Sequence, residues 1–401
     1  MKRASEAGLF ATDMACKPTI SAEVTSETPL QSLNLNWSER ELKESERTKH
    51  VHRLHPYLGK YIPQLAEVFL RKYFRPGDTV LDPFVGSGTT LVQANELGIN
   101  SIGYDIAEFN TLLCSAKTEC YDLDLLERES RDVLEKTRTA EQTTHRLDLY
   151  EALDDAASEY LAAWFHPTAL TQLLLYRFFV RHEDYKYKDM LNVILCRAAR
   201  SARLTTHYDL DFPKKPQTEP YWCYKHSRMC TPTEQAMQFL RRYTLDTAKR
   251  VAAYAGVRTS ASVCVHHADS RQAALPPITG VLTSPPYVGL IDYHLQHAYA
   301  YHLLGLDDAS EHEIGRAGNG TSIGARRLYQ EDVAAVLSRA KECMPAGGKM
   351  IIVVADRFDL YPTIVSMTGL ETEAVLYRQV NRRTGRRNSD FYESVFVLRK
   401  R

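Results

Sequence analysis

The chain has 401 residues, with 50 basic and 50 acidic side chains that cancel and 44% apolar residues, enough for one large domain or a body with one sizeable insertion. No stretch approaches the roughly 18 uncharged residues needed to span a bilayer, and no apolar run follows the opening "MKRASEAGLFATDMACKP", so the cytoplasm is the expected compartment. With zero net charge, any polyanionic partner has to be met by local basic patches.

Residues 1–48 are polar and mixed in charge, and "SERELKESERTKH" at 38–50 reads as a solvated helix or a frayed tail. From His55 the character changes. "YIPQLAEVFLRKYF" repeats apolar residues at helical spacing, and "RPGD" turns the chain into the strand-like "TVLDPF". Then "DPFVGSGTTLVQANELGINSIGYD" gives a strand, a glycine-rich turn, a helix closing at Gly98 and a second strand ending at Asp105. That is one βαβ half of a nucleotide-binding α/β fold.

Residues 121–258 read mainly as helices, interrupted by the aromatic and proline-rich "DLDFPKKPQTEPYWCYKHSRM". The stretch is far too long for a connection, so an inserted helical unit is expected. Within it Cys223 and Cys230 flank His226, but a second half at zinc-ligand spacing is lacking. They read as buried or incidental thiols, with no metal expected. The α/β pattern resumes with strands "SVCVHHAD" and "GVLTS", a helix through "YHLQHAYAYHLLGL", the loop "GRAGNGTSIGAR", a helix to Cys343 and the strand "KMIIVVAD". Two final strands flank an arginine-rich turn.

Two motifs carry chemistry. Gly86 and Gly88 permit a tight turn in which backbone N–H groups at a helix start approach a ligand. No lysine follows as in a P-loop, and the spacing differs from the G-x-G-x-x-G fingerprint. Asp105, at the end of the next strand, stands where a carboxylate would grip a ribose. Turn and acid together point to a nucleoside cofactor, against a structural turn with a capping acid. The second motif is "TSPPY" at 283–287, where two prolines stop a buried strand rigidly between a hydroxyl and an aromatic ring.

The combination resembles the DNA amino-methyltransferase family, whose members methylate the exocyclic amine of cytosine or adenine using S-adenosylmethionine. "DPFVGSGTT" looks like its cofactor motif, "TSPPY" like its catalytic motif and "HPYLGKYIPQLAEVFLRKYF" like the segment before the cofactor motif. The resemblance implies an α/β, Rossmann-like seven-stranded methyltransferase sheet with a large helical insertion. Its cofactor half would be 49–120, its catalytic half 259–401, and the insertion at 121–258 the target-recognition region. It implies cofactor contacts from Asp82, Phe84, Gly86, Ser87, Gly88, Thr89, Asp105 and Asp269, and catalytic roles for Ser284, Pro285, Pro286 and Tyr287. For Asp269 a strand-end turn residue is the competing reading, and Thr89 and Thr90 could equally cap the helix. Asp292 and Tyr293 follow the catalytic turn closely enough to line a pocket, with a helix-start role as the alternative. His52 and His55 read as satisfied structural histidines.

An exocyclic amine is a poor nucleophile because its lone pair is delocalised into the ring. Acceptors aimed at its hydrogens, the Ser284 hydroxyl and the Pro285 carbonyl, would favour rehybridisation, and Tyr287 offers a face for an extruded base. A cytosine C5 enzyme would use a Pro-Cys pair, which this sequence lacks. Ser-Pro-Pro-Tyr usually accompanies cytosine in the resembled family, so N4-methylcytosine is the favoured product and N6-methyladenine the alternative. The resemblance implies double-stranded DNA as partner and leaves open a cognate restriction or defence subunit.

DNA contacts are expected in two places. Residues 176–250 hold fifteen Lys and Arg against eight Asp and Glu, with tyrosines and Trp222 interleaved. The final turn carries Arg382, Arg383, Arg386 and Arg387. Two rival classes remain: a methyltransferase acting on RNA or protein, against which Ser284 argues, and a non-catalytic DNA-binding subunit with this fold, against which two intact motifs argue.

Overall fold

The structure is a computed structural model that describes residues 9–10, 17–142, 148–207, 209–211, 213–380 and 391–401. Among these, ten strands form: β1 Leu9–Phe10, β2 Thr79–Asp82, β3 Asn100–Asp105, β4 Tyr221–Cys223, β5 Arg228–Cys230, β6 Val263–His267, β7 Gly280–Thr283, β8 Lys349–Val354, β9 Glu371–Val380 and β10 Phe391–Arg399. Eight of them make one sheet in the order β1-β9-β10-β8-β7-β2-β3-β6. Its body is the expected seven-stranded methyltransferase sheet; the two-residue β1 adds an eighth strand at the edge, parallel to β9, too short to leave a periodic signal.

Strands β2, β3, β6, β7 and β8 run parallel, and β10 runs antiparallel to both neighbours. β2 lies centrally with β7 beside it, Leu81 opposite Val281, as "TVLDPF" and "GVLTS" lead one to expect. Both are near-continuous apolar runs because helices cover both faces, which is why they lack alternation. Helix Pro63–Tyr73 starts with proline at its first turn and packs Leu65 and Phe69 onto one face. Helix Ile323–Glu342 brings Val333 and Leu337 to the other.

Between β3 and β6, after helix Glu108–Thr118, the chain forms helices Leu123–Ala140, Asp155–Trp164, Pro167–His182, Lys188–Ala202 and Met237–Ala255, with the hairpin β4–β5 before the last. Asp122 caps Leu123–Ala140 and Asp154 caps Asp155–Trp164, accepting the N–H groups of Leu125 and Ala157. These helices share a core with Phe109, Tyr299 and Leu303, so they are fused to the sheet body by apolar packing. Among the described residues no helix is long and apolar enough to cross a membrane.

The N-terminal segment departs from its expected character. Only Glu44–Arg47 is α-helical within 38–50, and Val24, Leu33 and Leu35 are buried against Phe69, Ile351 and Val395. Polar composition concealed three apolar anchors that tie an irregular segment across the sheet. The helix expected through 293–306 is also broken, at His297, into Tyr293–Gln296 and Ala298–Leu304.

Candidate active site

Strand order reverses beside β2, with β3 on one side and β7 on the other, and a parallel sheet opens a crevice at such a point. The three strands end there in Asp82, Asp105 and Thr283. The crevice is lined by Asp82, Phe84, Gly86, Ser87, Thr89, Asp105, Asp269, Ser284 and Pro286. Most of the residues singled out from sequence therefore share one cavity. Gly88 and Pro285 stand in the same two turns without lining it.

The glycine turn is built as its spacing implies. Gly86 and Gly88 have φ of +48° and +77°; a Cβ on Gly86 would lie 3.1 Å from the Tyr57 hydroxyl, and one on Gly88 2.9 Å from the Cys114 sulfur. Asp105 braces the turn, accepting the Gly86 N–H at 2.8 Å, the Ala107 N–H at 2.9 Å and the Asn110 amide at 3.2 Å. Burial raises its pKa, and those donors pull the other way. Behind the turn the Lys117 ammonium donates to the Ser87 carbonyl at 2.5 Å, and burial pushes its pKa down to about 7.

Asp82 accepts the Thr90 hydroxyl on one oxygen and the Thr283 hydroxyl on the other, each at 2.6 Å. Burial pushes its carboxyl up to about 6 despite those bonds. Thr90 thus anchors the acid, while Thr89 faces the cavity. Asp269 lines the cavity as well, but its carboxylate is held by Arg271, with Nε at 3.0 Å from both oxygens, and it accepts the Arg271 N–H. The turn role and the cavity position coexist.

Beyond Thr283 the Ser284 side chain is half-buried at the cavity wall, and its hydroxyl has no hydrogen-bond partner among the described residues. The Pro286 carbonyl accepts the Tyr329 hydroxyl at 2.8 Å, which itself pairs with Tyr361 at 2.9 Å. Tyr287 does not line the first cavity. It lines a second cavity with Tyr329, Phe358 and Tyr361, and its hydroxyl reaches Glu393 at 3.5 Å. The Pro-Pro-Tyr turn is therefore the wall between two cavities.

Sequence reasoning missed several wall residues. Tyr57 lies over the glycine turn, stacked on Tyr293 at 5.6 Å. Lys60 donates to the His52 carbonyl at 2.7 Å, with its pKa lowered to about 8 by burial. Glu313 accepts the His294 N–H at 3.0 Å and lies in a loop without a motif to mark it. Tyr57 and Lys60 sit in the segment before the cofactor motif, which was the available signal. Asp292 caps the next helix through the Leu295 N–H, while Tyr293 lines the cavity, so each alternative holds for one of the pair. His55 is satisfied by Pro56 and Tyr299, whereas His52 Nε2 makes no hydrogen bond and lies 4.0 Å from a Glu96 carboxylate oxygen. Arg382, Arg383, Arg386 and Arg387 lie outside the described residues.

Sheet order and crevice define a methyltransferase-type α/β protein. Residues 19–112 match the family model for N6/N4 DNA methylases. The Type II methyltransferase M.MjaII of Methanocaldococcus jannaschii is 35% identical over 89% of this chain and 82% of its own length. M.BsoBI of Geobacillus stearothermophilus, another Type II methyltransferase, is 24% identical over 68% of this chain and 56% of its own. The chain belongs to the DNA amino-methyltransferase family. Among solved structures, the rRNA methyltransferase aviRa of Streptomyces viridochromogenes is similar at 14% identity and a TM-score of 0.35, covering 91% of this chain and 96% of that one.

The family implies S-adenosylmethionine, and the cavity fits such a group. Ser87 Oγ and Asn110 Oδ1 are buried at its wall with no partner.

Proposed function

We propose that this DNA methyltransferase transfers a methyl group to the exocyclic amine of a base extruded from duplex DNA, N4 of cytosine in preference to N6 of adenine. The observation that carries the reading is the placement of Ser284 and Pro286 on the wall of the cavity that the glycine turn floors. When bound, S-adenosylmethionine supplies a methyl carbon activated by a sulfonium. Asp105, Ser87 and Asn110 hold it through its polar groups, with Phe84 and Asp269 as further wall contacts, and the Gly86–Gly88 turn lets backbone approach.

The Ser284 hydroxyl and the Pro285 carbonyl accept the two amine hydrogens, drawing the nitrogen towards tetrahedral geometry and freeing its lone pair. An amine that took up the methyl group would have one proton to lose, which would pass to water. Tyr329, bonded to the Pro286 carbonyl, keeps the turn from moving, so alignment supplies much of the acceleration.

The helices of 121–258 serve target recognition, and Arg382, Arg383, Arg386 and Arg387 bind phosphates. Because its relatives are named Type II methyltransferases, the setting is restriction–modification, with a cognate nuclease as the functional counterpart. Labelled methyl transfer to DNA, RNA and protein in parallel tests this: label in duplex DNA alone is expected, and label in RNA or protein instead would overturn it.

A further inference from the structure

The hairpin β4–β5 has strands of three residues each. A two-stranded ribbon of that length does not hold itself together in water. It turns Trp222, Tyr224 and Met229 outward, and what it buries are two cysteines, Cys223 and Cys230, both free thiols. Where an apolar hairpin would bury large hydrophobic side chains, this one buries two potential metal ligands.

The two sulfurs are not alone. His226, at the turn between them, places Nδ1 3.5 Å from each sulfur. His207, sixteen residues before Cys223, brings its Nδ1 to 3.7 Å from the Cys223 sulfur. One ligand atom from each of the four side chains can be chosen so that all lie within 4.8 Å of one another. Tetrahedral zinc with Zn–S near 2.3 Å and Zn–N near 2.0–2.1 Å sets a sulfur–nitrogen edge of about 3.6 Å. The three sulfur–nitrogen distances fall on that edge, and neutral hydrogen bonds to thiols would not require all four groups to converge.

We propose that His207, Cys223, His226 and Cys230 form a structural Cys2His2 zinc site that staples the β4–β5 hairpin to the chain entering it. Four protein ligands leave no open position, so the ion is structural and takes no part in methyl transfer. Both thiols bind as thiolates, and their two protons are released to solvent on binding. The Tyr221 hydroxyl also lies 2.9 Å from His207 Nδ1; it accepts the His207 backbone N–H at 2.9 Å and keeps that bond when the ring turns to the metal. The signal escaped a sequence reading because the fourth ligand is a lone histidine at a spacing of no common zinc motif.

The full-length protein, purified without a metal-chelating tag, should contain one zinc per chain by plasma mass spectrometry. Exchange for cobalt should give the intense visible bands of a tetrahedral ion with a near-ultraviolet thiolate charge-transfer band. Cys223→Ser with Cys230→Ser should abolish both, with S-adenosylmethionine affinity by calorimetry unchanged within about twofold, and chelation should open 207–236 to proteolysis. The wild-type cobalt spectrum decides the matter even if the double variant fails to fold. Absence of stoichiometric zinc together with no cobalt bands overturns the site, as does a Cys223–Cys230 disulfide in the purified protein. Zinc retained in the folded double variant also overturns it.

Discussion

The Thr283 hydroxyl donates to Asp82 at 2.6 Å across 201 residues of chain, joining the end of β2 to the end of β7. One residue on from Thr283 stands Ser284, and two on from Asp82 stands Phe84, both at the wall of the first cavity. The bond therefore ties the glycine turn and the Ser-Pro-Pro-Tyr turn together at their roots. Thr283→Val removes it and should cost about 1.5–3 kcal/mol of stability, the range for a hydrogen bond to a charged group. On the proposed mechanism it should lower kcat more than it weakens cofactor binding. A double-mutant cycle with Asp82→Asn should show coupling, and additive effects would show that the two turns are held independently.

Asp82 also sets a pH dependence. Its carboxyl lies at about 6 against an ordinary 3.8, because burial penalises the charge. With the folded pKa raised, the folded state keeps a proton between those values that the unfolded chain has released. The Asp82 contribution to stability is therefore greatest below about pH 4 and falls as pH rises through about 6. The difference in unfolding free energy between wild type and Asp82→Asn, from urea titrations across that window, should decline with rising pH. A flat difference would mean that burial does not raise this carboxyl.

The cofactor and catalytic roles separate by calorimetry and turnover. Asp105→Ala should weaken S-adenosylmethionine binding about tenfold or more, since it removes a charged acceptor and frees the Gly86 N–H. Ser284→Ala should leave that affinity nearly intact and reduce methyl transfer. Equal cofactor affinity in wild type and Asp105→Ala would refute the assignment.

Replacing Arg382, Arg383, Arg386 and Arg387 with alanine should weaken binding to all duplexes alike and flatten its salt dependence, as loss of phosphate contacts does. Changes in the insertion should instead alter which sequence is methylated. If the arginine variants shifted the methylated sequence and insertion variants did not, the two regions would exchange roles.

Central strands and both motif turns were legible in the sequence because local chemistry fixes them: a buried parallel strand is a continuous apolar run, a tight turn needs glycine, and two prolines end a strand. Asp82, Asp105 and Ser284 follow directly from those turns. What was not legible depends on contacts between distant segments. Tyr57 reaches the glycine turn from another element, and Glu313 enters from an irregular loop. Leu33 and Leu35 look unremarkable in a polar stretch until the sheet face they cover exists, and β1 has only two residues. His207 has no local partner at all.

The central claim is methylation of an exocyclic base amine, and nucleoside mass spectrometry tests it most directly. Duplex DNA of varied sequence is incubated with the pure protein and S-adenosylmethionine, digested to nucleosides and compared with DNA treated by Ser284→Ala. N4-methylcytosine should appear with wild type and fall sharply with the variant; N6-methyladenine in its place would change the base and leave the amine chemistry standing. 5-Methylcytosine, or no methylated nucleoside on any duplex with cofactor bound, would contradict it.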